Sequence, residues 1–532
     1  MKKINNIVLT ILILIQPFLD TYFMYNNAIE IFGFKISTII RYTLLAILFI
    51  LLLIQTKFAD KRKGLIVYFA LMILYIIMHH INALQFESLV PGNFNYSLVE
   101  ELLYISRYFF PLILIYYLYS IPISSALFKK IIVTFSLIVS ISVIISNIFL
   151  LSKSSYYDFN ISYNIFDWFV KDISYSNAST RGFFYATIVM TNLLLITPYI
   201  YSIYYKEGKY IYLTAIVCNM LALFMAGTKA CTLGFVIIAV MMCLLYLFFA
   251  FIVKEFKIDL GKLFASIAII LICFALLPNS PMTQRMYLTS DMYKGDKIPD
   301  KDKTDTKKPD EDDDINVDDG DEEDDDFKLD NYKSFKEIYS IKDKEERKVL
   351  IKKYIAKNHN DLGIMPSLFI NSYSFKYDYE FWADIIMNEN AEAKANNRNI
   401  QTKIFKRIKE VNSSKMDDFF GITYSRTSKI FNLERDFLYQ YFSLGIVGVI
   451  LLLGPIVLLL ILSMIKIIRK RELLNIENAS LCFGIGLLLC VAAYSGNMLD
   501  NLGIITILGF VMGYFASRVF PKKENKNSKK KN

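Results

Sequence analysis

Long apolar runs, separated by short polar connections, occupy most of the chain. Runs such as LLAILFILLLI (44–54) and FVIIAVMMCLLYLFFAFIV (235–253) approach or exceed the ~18–20 apolar residues that cross a bilayer as a helix. The pattern therefore predicts an all-α, polytopic helical membrane protein. We expect about twelve transmembrane helices, at 7–25, 38–56, 65–83, 101–119, 131–151, 183–205, 210–227, 230–252, 262–278, 437–465, 479–497 and 501–517.

Composition supports this class of protein and argues against others. The 532 residues are 55% hydrophobic, with a mean hydropathy of +0.38. All six cysteines fall inside predicted spans without the spacing of a metal pair, so we expect them to pack and expect no metal site. The net charge of +9 is distributed over short loops and the tail, so a nucleic-acid partner is not expected. The first apolar run lacks a small-residue cleavage site, which predicts a retained span.

Basic residues collect in alternate connections between the predicted spans. By the positive-inside rule this side is the cytoplasm, and both termini lie there. The basic residues of that side are Lys2, Lys3, Lys57, Lys61, Arg62, Lys63, Lys129, Lys130, Lys206, Lys209, Lys254, Lys257, Lys466, Arg469, Lys470, Arg471 and the lysines of the tail.

Two long segments then face outward. Residues 152–182 contain FDWF among Tyr, Ser and Asn, which predicts an interfacial segment. Residues 279–436 form a large external loop domain between spans nine and ten. The chain is thus predicted to comprise a membrane bundle (1–278), this loop domain (279–436), three closing spans (437–517) and a basic cytoplasmic tail (518–532).

The first part of the external loop is strongly acidic. Of the 17 residues from Asp310 to Asp326, 13 are acidic. Such self-repelling sequence predicts a disordered tract at about 296–330, followed by a partly helical region at 331–430. The alternative is a calcium loop beginning at Asp314, but Gly320 stands one place late for that motif.

Charged residues near the spans share one depth, toward the outer face. A charge inside the hydrocarbon is costly, so such residues are functional candidates by default. Each also has a structural interpretation: Asp20–Arg41 or Glu100/Glu101–Arg107 as ion pairs, Lys229 as a side chain that snorkels to the interface, and Asn432 with Glu434 as a helix cap. The candidates are Asp20, Arg41, Arg107, Arg181, Lys229, Arg426, Glu434, Arg435, Asp436 and Asp500.

Several cations at one outward level suit an anionic head group anchored in lipid. Arginine binds phosphate oxygens bidentately and lysine acts as a point charge, while a nearby carboxylate can accept a proton from an attacking hydroxyl. These parts describe glycosyl transfer from a polyprenyl-diphosphate sugar, with cations rather than a metal stabilising the leaving diphosphate. No cofactor is expected.

Four stretches resemble the O-antigen ligase and O-antigen polymerase family. They are STRGFFYATIVMTNLLL (179–195), AGTKACTLGFVIIAV (226–240), FFGITYSRTSKIFNLERDFLYQYFSLGIVGVILLLGP (419–455) and SGNMLDN (495–501). The resemblance implies a glycosyltransferase of the bacterial cytoplasmic membrane, with its active site on the outer face. The implied substrates are an undecaprenyl-diphosphate-linked oligosaccharide donor and a glycan acceptor, and a flippase and a chain-length regulator are implied partners.

The resemblance also implies roles for particular residues. Arg181, Lys229 and Arg426 would contact the diphosphate, and Glu434 and Asp436 match the family's acidic pair. Glu434 is our first choice as the base, with Asp436 or Arg435 orienting it. The other outer-face charges (Asp20, Arg41, Arg107 and Asp500) would support the site.

The chain departs from the family's pattern in three places. Lys229 stands where the family usually has Arg, so bidentate phosphate binding is not expected there. Glu434-Arg435-Asp436 replaces the His-Asn pair typical of the ligase branch, which favours a polymerase-like or Gram-positive-type enzyme over lipopolysaccharide ligation. The acidic tract in the external loop is also atypical of the family.

The leading hypothesis is a repeat-unit polymerase for capsule, exopolysaccharide or O-antigen. One alternative is a ligase that moves finished polymer onto a cell-wall or lipid acceptor. Another is a lipid-linked oligosaccharide flippase or other transporter, although the sequence has no evident internal repeat and its charges gather at one face. A calcium-sensing role would rest on the acidic tract alone.

Overall fold

The computed structural model describes residues 1–26, 30–31, 34–55, 62–89, 95–293, 329, 332, 334–431 and 433–521. Several predictions fall outside these residues: the acidic tract at 310–326, the calcium loop that would start at Asp314, the capping role of Asn432, the basic loop at Lys57 and Lys61, and the end of the basic tail.

Helices make up nearly all of the regular structure. The first part of the described chain contains α1 (Lys2–Leu14), α2 (Gln16–Leu19), α3 (Tyr22–Asn26), β1 (Glu30–Ile31), β2 (Phe34–Lys35), α4 (Ile36–Gln55), α5 (Arg62–Leu84), α6 (Leu98–Ser120), α7 (Ser125–Ile148), a 3-10 helix (Ile165–Phe169), α8 (Tyr175–Ala178), a 3-10 helix (Thr187–Met190), α9 (Thr191–Glu207), α10 (Tyr210–Ala226), α11 (Lys229–Phe248), a π-helix (Phe249–Val253), α12 (Leu260–Leu276) and α13 (Pro281–Tyr293).

The remainder contains the helices of the external segment and the last helices of the bundle. They are α14 (Phe335–Tyr339), α15 (Lys344–Asn358), a π-helix (Leu368–Ser372), α16 (Tyr379–Asn388), α17 (Ala391–Ala395), α18 (Asn397–Asn412), α19 (Met416–Phe420), α20 (Tyr424–Ile430), α21 (Asp436–Leu452), α22 (Gly454–Arg469), a 3-10 helix (Arg471–Leu473), α23 (Ile476–Tyr494) and α24 (Leu502–Val519). β1 and β2 pair antiparallel.

Seven helices of the described chain are long and apolar enough to cross a membrane. The number rises to nine if each of two bent pairs, α12 with α13 and α21 with α22, counts as one span. The segment Lys3–Leu19 and α10 are shorter apolar helices. Together with α6, these elements coincide with the twelve predicted spans. A helical membrane protein is thus confirmed, while the count of twelve stays a prediction.

The bundle is arranged around two central helices. In the apolar stretches of α9 and α24, 94% and 83% of the residues are buried, whereas in those of α4 and α5 only 28% are buried. α24 packs along α6, and α9 packs along α23. The outer helices therefore leave broad apolar flanks exposed, as expected for surfaces that face lipid.

The predicted continuous span at 437–465 is wrong in detail, because the chain bends within it. α21 and α22 meet at 42°, and Pro455 occupies the first turn of α22, where its missing N–H is tolerated. Inside α21, Gly445 has a non-helical backbone (φ +68°, ψ 174°).

The break at Gly445 is filled by backbone from the external segment. The N–H groups of Ile422 and Thr423 donate to the carbonyls of Phe442 and Ser443, at 2.8 and 3.0 Å. A Cβ at Gly445 would lie 2.3 Å from the Phe419 carbonyl, so only glycine allows this approach. Tertiary contact, not local sequence, thus interrupts an apolar helix here.

The helices of the external segment pack around buried apolar side chains that continue the core of the bundle. Trp382 is fully buried, donates from Nε1 to the Tyr373 carbonyl at 2.8 Å and packs edge-on against Phe369. Arg407 bonds Asp378 through Nε at 2.7 Å, which ties α18 to the start of α16. This region is placed over the end of the bundle where the predicted outer-face charges lie.

Candidate active site at one end of the bundle

Asp20 and Arg41 form a buried ion pair where the first helical segment is broken. Nη2 of Arg41 lies 2.5 Å from Oδ1 of Asp20, and both side chains are 3% exposed. Nε of Arg41 donates to Gln16 at 2.7 Å. The structural interpretation of this pair therefore holds, and it joins α2 to α4. Asp20 also packs against Gly503, where a Cβ would come within 2.2 Å of its Oδ2.

Arg107 lies beside Asp500 rather than beside Glu101. Its Nη1 is 3.4 Å from the Asp500 carbonyl, and its guanidinium lies 5.4 Å from the Tyr104 ring centroid and 5.7 Å from that of Tyr424. Burial raises the pKa of the Asp500 carboxyl to about 6, although the Arg107 charge opposes that shift. Among the described residues Arg107 forms no ion pair with Glu100 or Glu101, so the alternative of a Glu100/Glu101–Arg107 pair is wrong.

Asp436 is fully buried and holds the turn that carries Asp500. Its Oδ2 accepts hydrogen bonds from the N–H groups of Met498 (2.7 Å) and Leu499 (3.1 Å). Its Oδ1 has no hydrogen-bond partner among the described residues. The neighbouring backbone of Arg435 forms a parallel bridge with Gly496. Asp436 is thus placed to position the 495–500 turn.

Arg181 lies at the rim of this buried group. It is 9% exposed and forms an ion pair with Asp158, whose side chain is 70% exposed. The Arg181 guanidinium lies 5.6 Å from the Tyr22 ring centroid, and the Lys153 ammonium lies 4.6 Å from the same ring. Two cations therefore flank Tyr22, close to the break that contains Asp20. Nε of Arg181 lacks a hydrogen-bond partner within the described chain.

Tyr156 lies against the turn that precedes Lys229. Lys229 is exposed and begins α11 directly after the turn at Gly227, whose carbonyl accepts a bond from the Tyr156 hydroxyl at 3.0 Å. Arg285 covers the Tyr156 ring at 4.2 Å. Burial raises the pKa of Tyr156, with Arg285 opposing and the nearby Glu434 carboxylate adding to the rise. Glu434 is thus close enough to Tyr156 to act on its pKa.

Glu434 precedes the helix instead of lying in its first turn. α21 begins at Asp436, and Glu434 is exposed and ion-paired with Arg398, whose Nε donates to it at 3.0 Å. The two carboxylates therefore differ in environment: Asp436 is buried against backbone amides, whereas Glu434 faces solvent at the edge of the external helices.

Arg426 belongs to a separate group of contacts. It is 5% exposed, donates from Nη2 to the Ala83 carbonyl at 2.9 Å and lies 4.1 Å from the Phe86 ring centroid. Burial lowers the pKa of its guanidinium to about 10, although Glu101 opposes that shift. These contacts are with the α5–α6 region, whereas those of Arg181 are with 153–158 and Tyr22.

His79 and Glu101 form the centre of that second group. Nδ1 of His79 lies 2.5 Å from the Phe420 carbonyl oxygen and donates to it, because a carbonyl oxygen can only accept a hydrogen bond. Nε2 lies 3.1 Å from Oε2 of Glu101. Oε1 of Glu101 accepts from the Ser425 N–H at 2.6 Å. The pair therefore ties α5 and α6 to the external segment that fills the break in α21.

A pocket of about 500 Å³ opens beside Arg435, between α21 and the end of α23. Tyr494, one of its walls, is 77% exposed. A cation beside aromatic and aliphatic groups suits a ligand with both a charged and an apolar part. The pocket is lined by Arg435, Phe437, Leu438, Tyr441, Ala493 and Tyr494.

Several neighbours of the predicted residues were not singled out by sequence. Arg285 follows the ninth predicted span and could have been counted as another cation at the outer level. Lys153 and Tyr156 lie in the predicted interfacial segment, but nothing local ties them to Arg181 or to Lys229. Arg398 lies 36 residues from Glu434, and its pairing depends on the fold. Within the described residues, no group of three or more His, Cys, Asp or Glu side chains could hold a metal ion.

Fold and residue distribution together define a multi-pass helical membrane protein with a cluster of acidic and basic residues at one end of its bundle. The sequence profile of the family described as O-antigen ligase like membrane protein matches residues 2–519, and the chain belongs to that family. Membership supports a glycosyltransferase-like enzyme that ligates or polymerises glycans in polysaccharide biosynthesis. A search of curated proteins finds no significant match.

Proposed function

We propose that this protein polymerises undecaprenyl-diphosphate-linked oligosaccharide repeat units at the outer face of the bacterial cytoplasmic membrane, with both termini in the cytoplasm. The product would be a capsule, exopolysaccharide or O-antigen chain. The observation that carries this proposal is the rim of cations around Tyr22 and Tyr156, with the exposed Glu434 beside it. Family membership supplies the reaction class, and this rim supplies groups suited to an anionic, lipid-linked donor.

The cations of the rim can hold the leaving diphosphate without a metal. Arg181 and Lys153 flank Tyr22, and Arg285 and the turn of Lys229 meet at Tyr156. Asp158 now neutralises Arg181, but its exposed carboxylate is weakly held and a diphosphate can displace it. Negative charge that develops on the diphosphate would then be stabilised by cations already in position.

Glu434 is the proposed base toward the acceptor. An acceptor hydroxyl attacks the anomeric carbon of the donor sugar, the bond from that carbon to the diphosphate oxygen breaks with its electron pair, and the hydroxyl proton passes to Glu434. The exposure of Glu434 gives a bulky glycan access to it. Asp436 is assigned a positioning role through Met498 and Leu499, because its contacts are with buried backbone amides.

The pocket beside Arg435 suits the start of the donor's lipid chain, next to the diphosphate. Arg435 supplies charge, while Phe437, Leu438 and Ala493 supply apolar surface for the first part of a polyprenyl chain. In this proposal Arg426 and the His79–Glu101 pair hold the external segment over the site, since their contacts are with α5, α6 and the loop at 420–425.

The test compares Arg181→Ala and Glu434→Gln with the unaltered chain in a strain that lacks the gene. Both variants should reach the membrane at normal levels and produce no long polymer on a glycan ladder. Glu392→Gln, an exposed acid in the same external region, is the matched control and should polymerise normally. Long polymer from either site variant would overturn the assignment.

Ligation of finished polymer onto a cell-wall or lipid acceptor is the alternative within the same family. The deletion strain separates the two reactions. Accumulation of single lipid-linked repeat units indicates a polymerase, whereas unattached long polymer indicates a ligase.

A further inference from the structure

A second pocket lies at the opposite end of the bundle from the candidate active site. Its volume is about 510 Å³, and its walls come from the start of α7, the end of α9 and the start of α10. α7 has 24 residues, so at ~1.5 Å per residue its two ends are roughly 36 Å apart, and the pocket lies along its first half, from Ser125 to Leu137. The positive-inside rule predicts that this end faces the cytoplasm.

The polar wall of this pocket has a surplus of positive charge. Lys129 and Lys209 bond the two oxygens of Glu207 at 2.6 and 2.7 Å, and the Tyr212 hydroxyl donates to the same carboxylate at 3.0 Å. Lys130 is exposed and forms no ion pair within the described chain. The wall thus carries three ammonium groups and one carboxylate, which holds two of them in place.

Two helix starts add to that charge. α7 and α10 begin at Ser125 and Tyr210, and Ser125 lines the pocket. The Ser124 hydroxyl caps α7 by accepting from the Leu127 N–H, and the Tyr212 N–H donates to the Lys209 carbonyl, so these helix starts add the positive ends of their dipoles to the charge of the lysines. Lysines next to helix starts are the arrangement that binds phosphate oxygens.

The remaining wall is apolar and faces the side of the bundle. It is formed by Val133, Leu137 and Ile211, and the Ile211 side chain is 48% exposed. The charged part and the apolar part lie one or two helical turns apart along α7. A ligand that fills both must carry a phosphate joined to a hydrocarbon chain, which a free anion does not.

We propose that this pocket binds the phosphate head group of an anionic phospholipid, with one acyl chain along Val133, Leu137 and Ile211. Basic pockets between transmembrane helices on the cytoplasmic side recognise such head groups. Lys130 and Lys209 hold the phosphate, and Glu207 keeps Lys129 and Lys209 oriented when the site is empty. The proposal does not depend on the reaction catalysed at the other end.

The test measures phosphatidylglycerol binding to the purified full-length protein by native mass spectrometry. Phosphatidylcholine, which has no net negative charge, is the reference lipid. The K130Q/K209Q variant should lose phosphatidylglycerol affinity by roughly tenfold or more and leave the weak phosphatidylcholine signal unchanged. The matched control K257Q/K470Q removes two exposed lysines from outside the pocket and should behave as the unaltered chain.

Three results would overturn the proposal. The first is equal affinity of K130Q/K209Q and the control for phosphatidylglycerol. The second is displacement of the lipid by millimolar inorganic phosphate, since that would indicate a free-anion site. The third is an unchanged affinity of the single variant Lys130→Gln, which is used if the double variant does not fold. This substitution breaks no ion pair among the described residues and should still weaken binding severalfold.

Discussion

The charged residues at the end of the bundle that carries the candidate site form two regions with different constraints. In the inner region, Asp20, Arg41 and Asp436 are almost fully buried, and their partners are fixed by helix packing. In the outer rim, Glu434, Asp158 and Lys229 are exposed. Glu434 pairs with the partly exposed Arg398, and Asp158 pairs from the solvent side with the buried Arg181. The difference indicates that charges at one depth have different roles, because the inner region joins helices whereas the carboxylates of the rim are accessible to solvent.

The largest expected effect comes from breaking the Asp20–Arg41 pair. Arg41→Met leaves the Asp20 carboxylate buried without its cation, which should cost about 3–5 kcal/mol of stability. Asp20→Asn combined with Arg41→Met removes both charges and should recover much of that loss. Thermal unfolding of the three purified variants measures the coupling, and strictly additive effects would contradict the proposed pairing.

A smaller but clear loss is expected at Asp436. Asp436→Ala leaves the N–H groups of Met498 and Leu499 without their acceptor, at a cost of about 2–3 kcal/mol. Asp436→Asn keeps one carbonyl oxygen as an acceptor, so it should destabilise the protein less than Asp436→Ala. If the alanine variant is as stable as the unaltered chain but inactive, Asp436 acts in the chemistry rather than as a positioning residue.

Glu434→Gln should abolish activity without lowering stability. Because Glu434 is exposed, the unfolding free energy should change by no more than about 0.5 kcal/mol, while long polymer disappears. Arg398→Gln, which removes the partner of Glu434, should leave both stability and polymer nearly normal. Loss of stability in the Glu434 variant would place it with the inner region instead.

Asp500 predicts a pH dependence of stability. Its pKa rises from 3.8 to about 6 on folding, mainly through burial, so the folded protein holds a proton that the unfolded chain has released. The stabilisation from this group is complete below about pH 4 and is lost as the pH rises through about 6. Unfolding temperatures of the unaltered chain and Asp500→Asn between pH 4 and 8 test this. Their difference should vary with pH, and a constant difference would contradict it.

The smallest expected effect is at Asp158. Asp158→Asn removes the exposed partner of the buried Arg181, and stability should change by less than about 1 kcal/mol because the Asp158 carboxylate is largely solvated. The donor concentration needed for half-maximal polymerisation should fall, because the diphosphate no longer competes with a carboxylate. Vesicle assays with purified donor measure this. A rise in that concentration would show that Asp158 helps to bind the donor.

The pattern of apolar runs was enough to predict the class of protein and the position of most helices. Each predicted span coincides with a helix or a helix pair, because a bilayer demands length and apolarity that are visible locally. The sequence also predicted that charges such as Asp20, Arg107 and Asp500 lie at one end. It could not predict the break at Gly445, which is stabilised by the remote backbone of 419–423.

What the sequence by itself determined is therefore a helical membrane bundle, its family and a set of charged residues at one level. Only the tertiary structure decided which of these charges meet. Glu101 contacts His79 instead of Arg107, Arg426 packs on α5, and Glu434 and Asp436, two residues apart, have opposite exposure. The physical reason is that depth follows from local hydropathy, whereas a partner follows from packing between segments that are hundreds of residues apart.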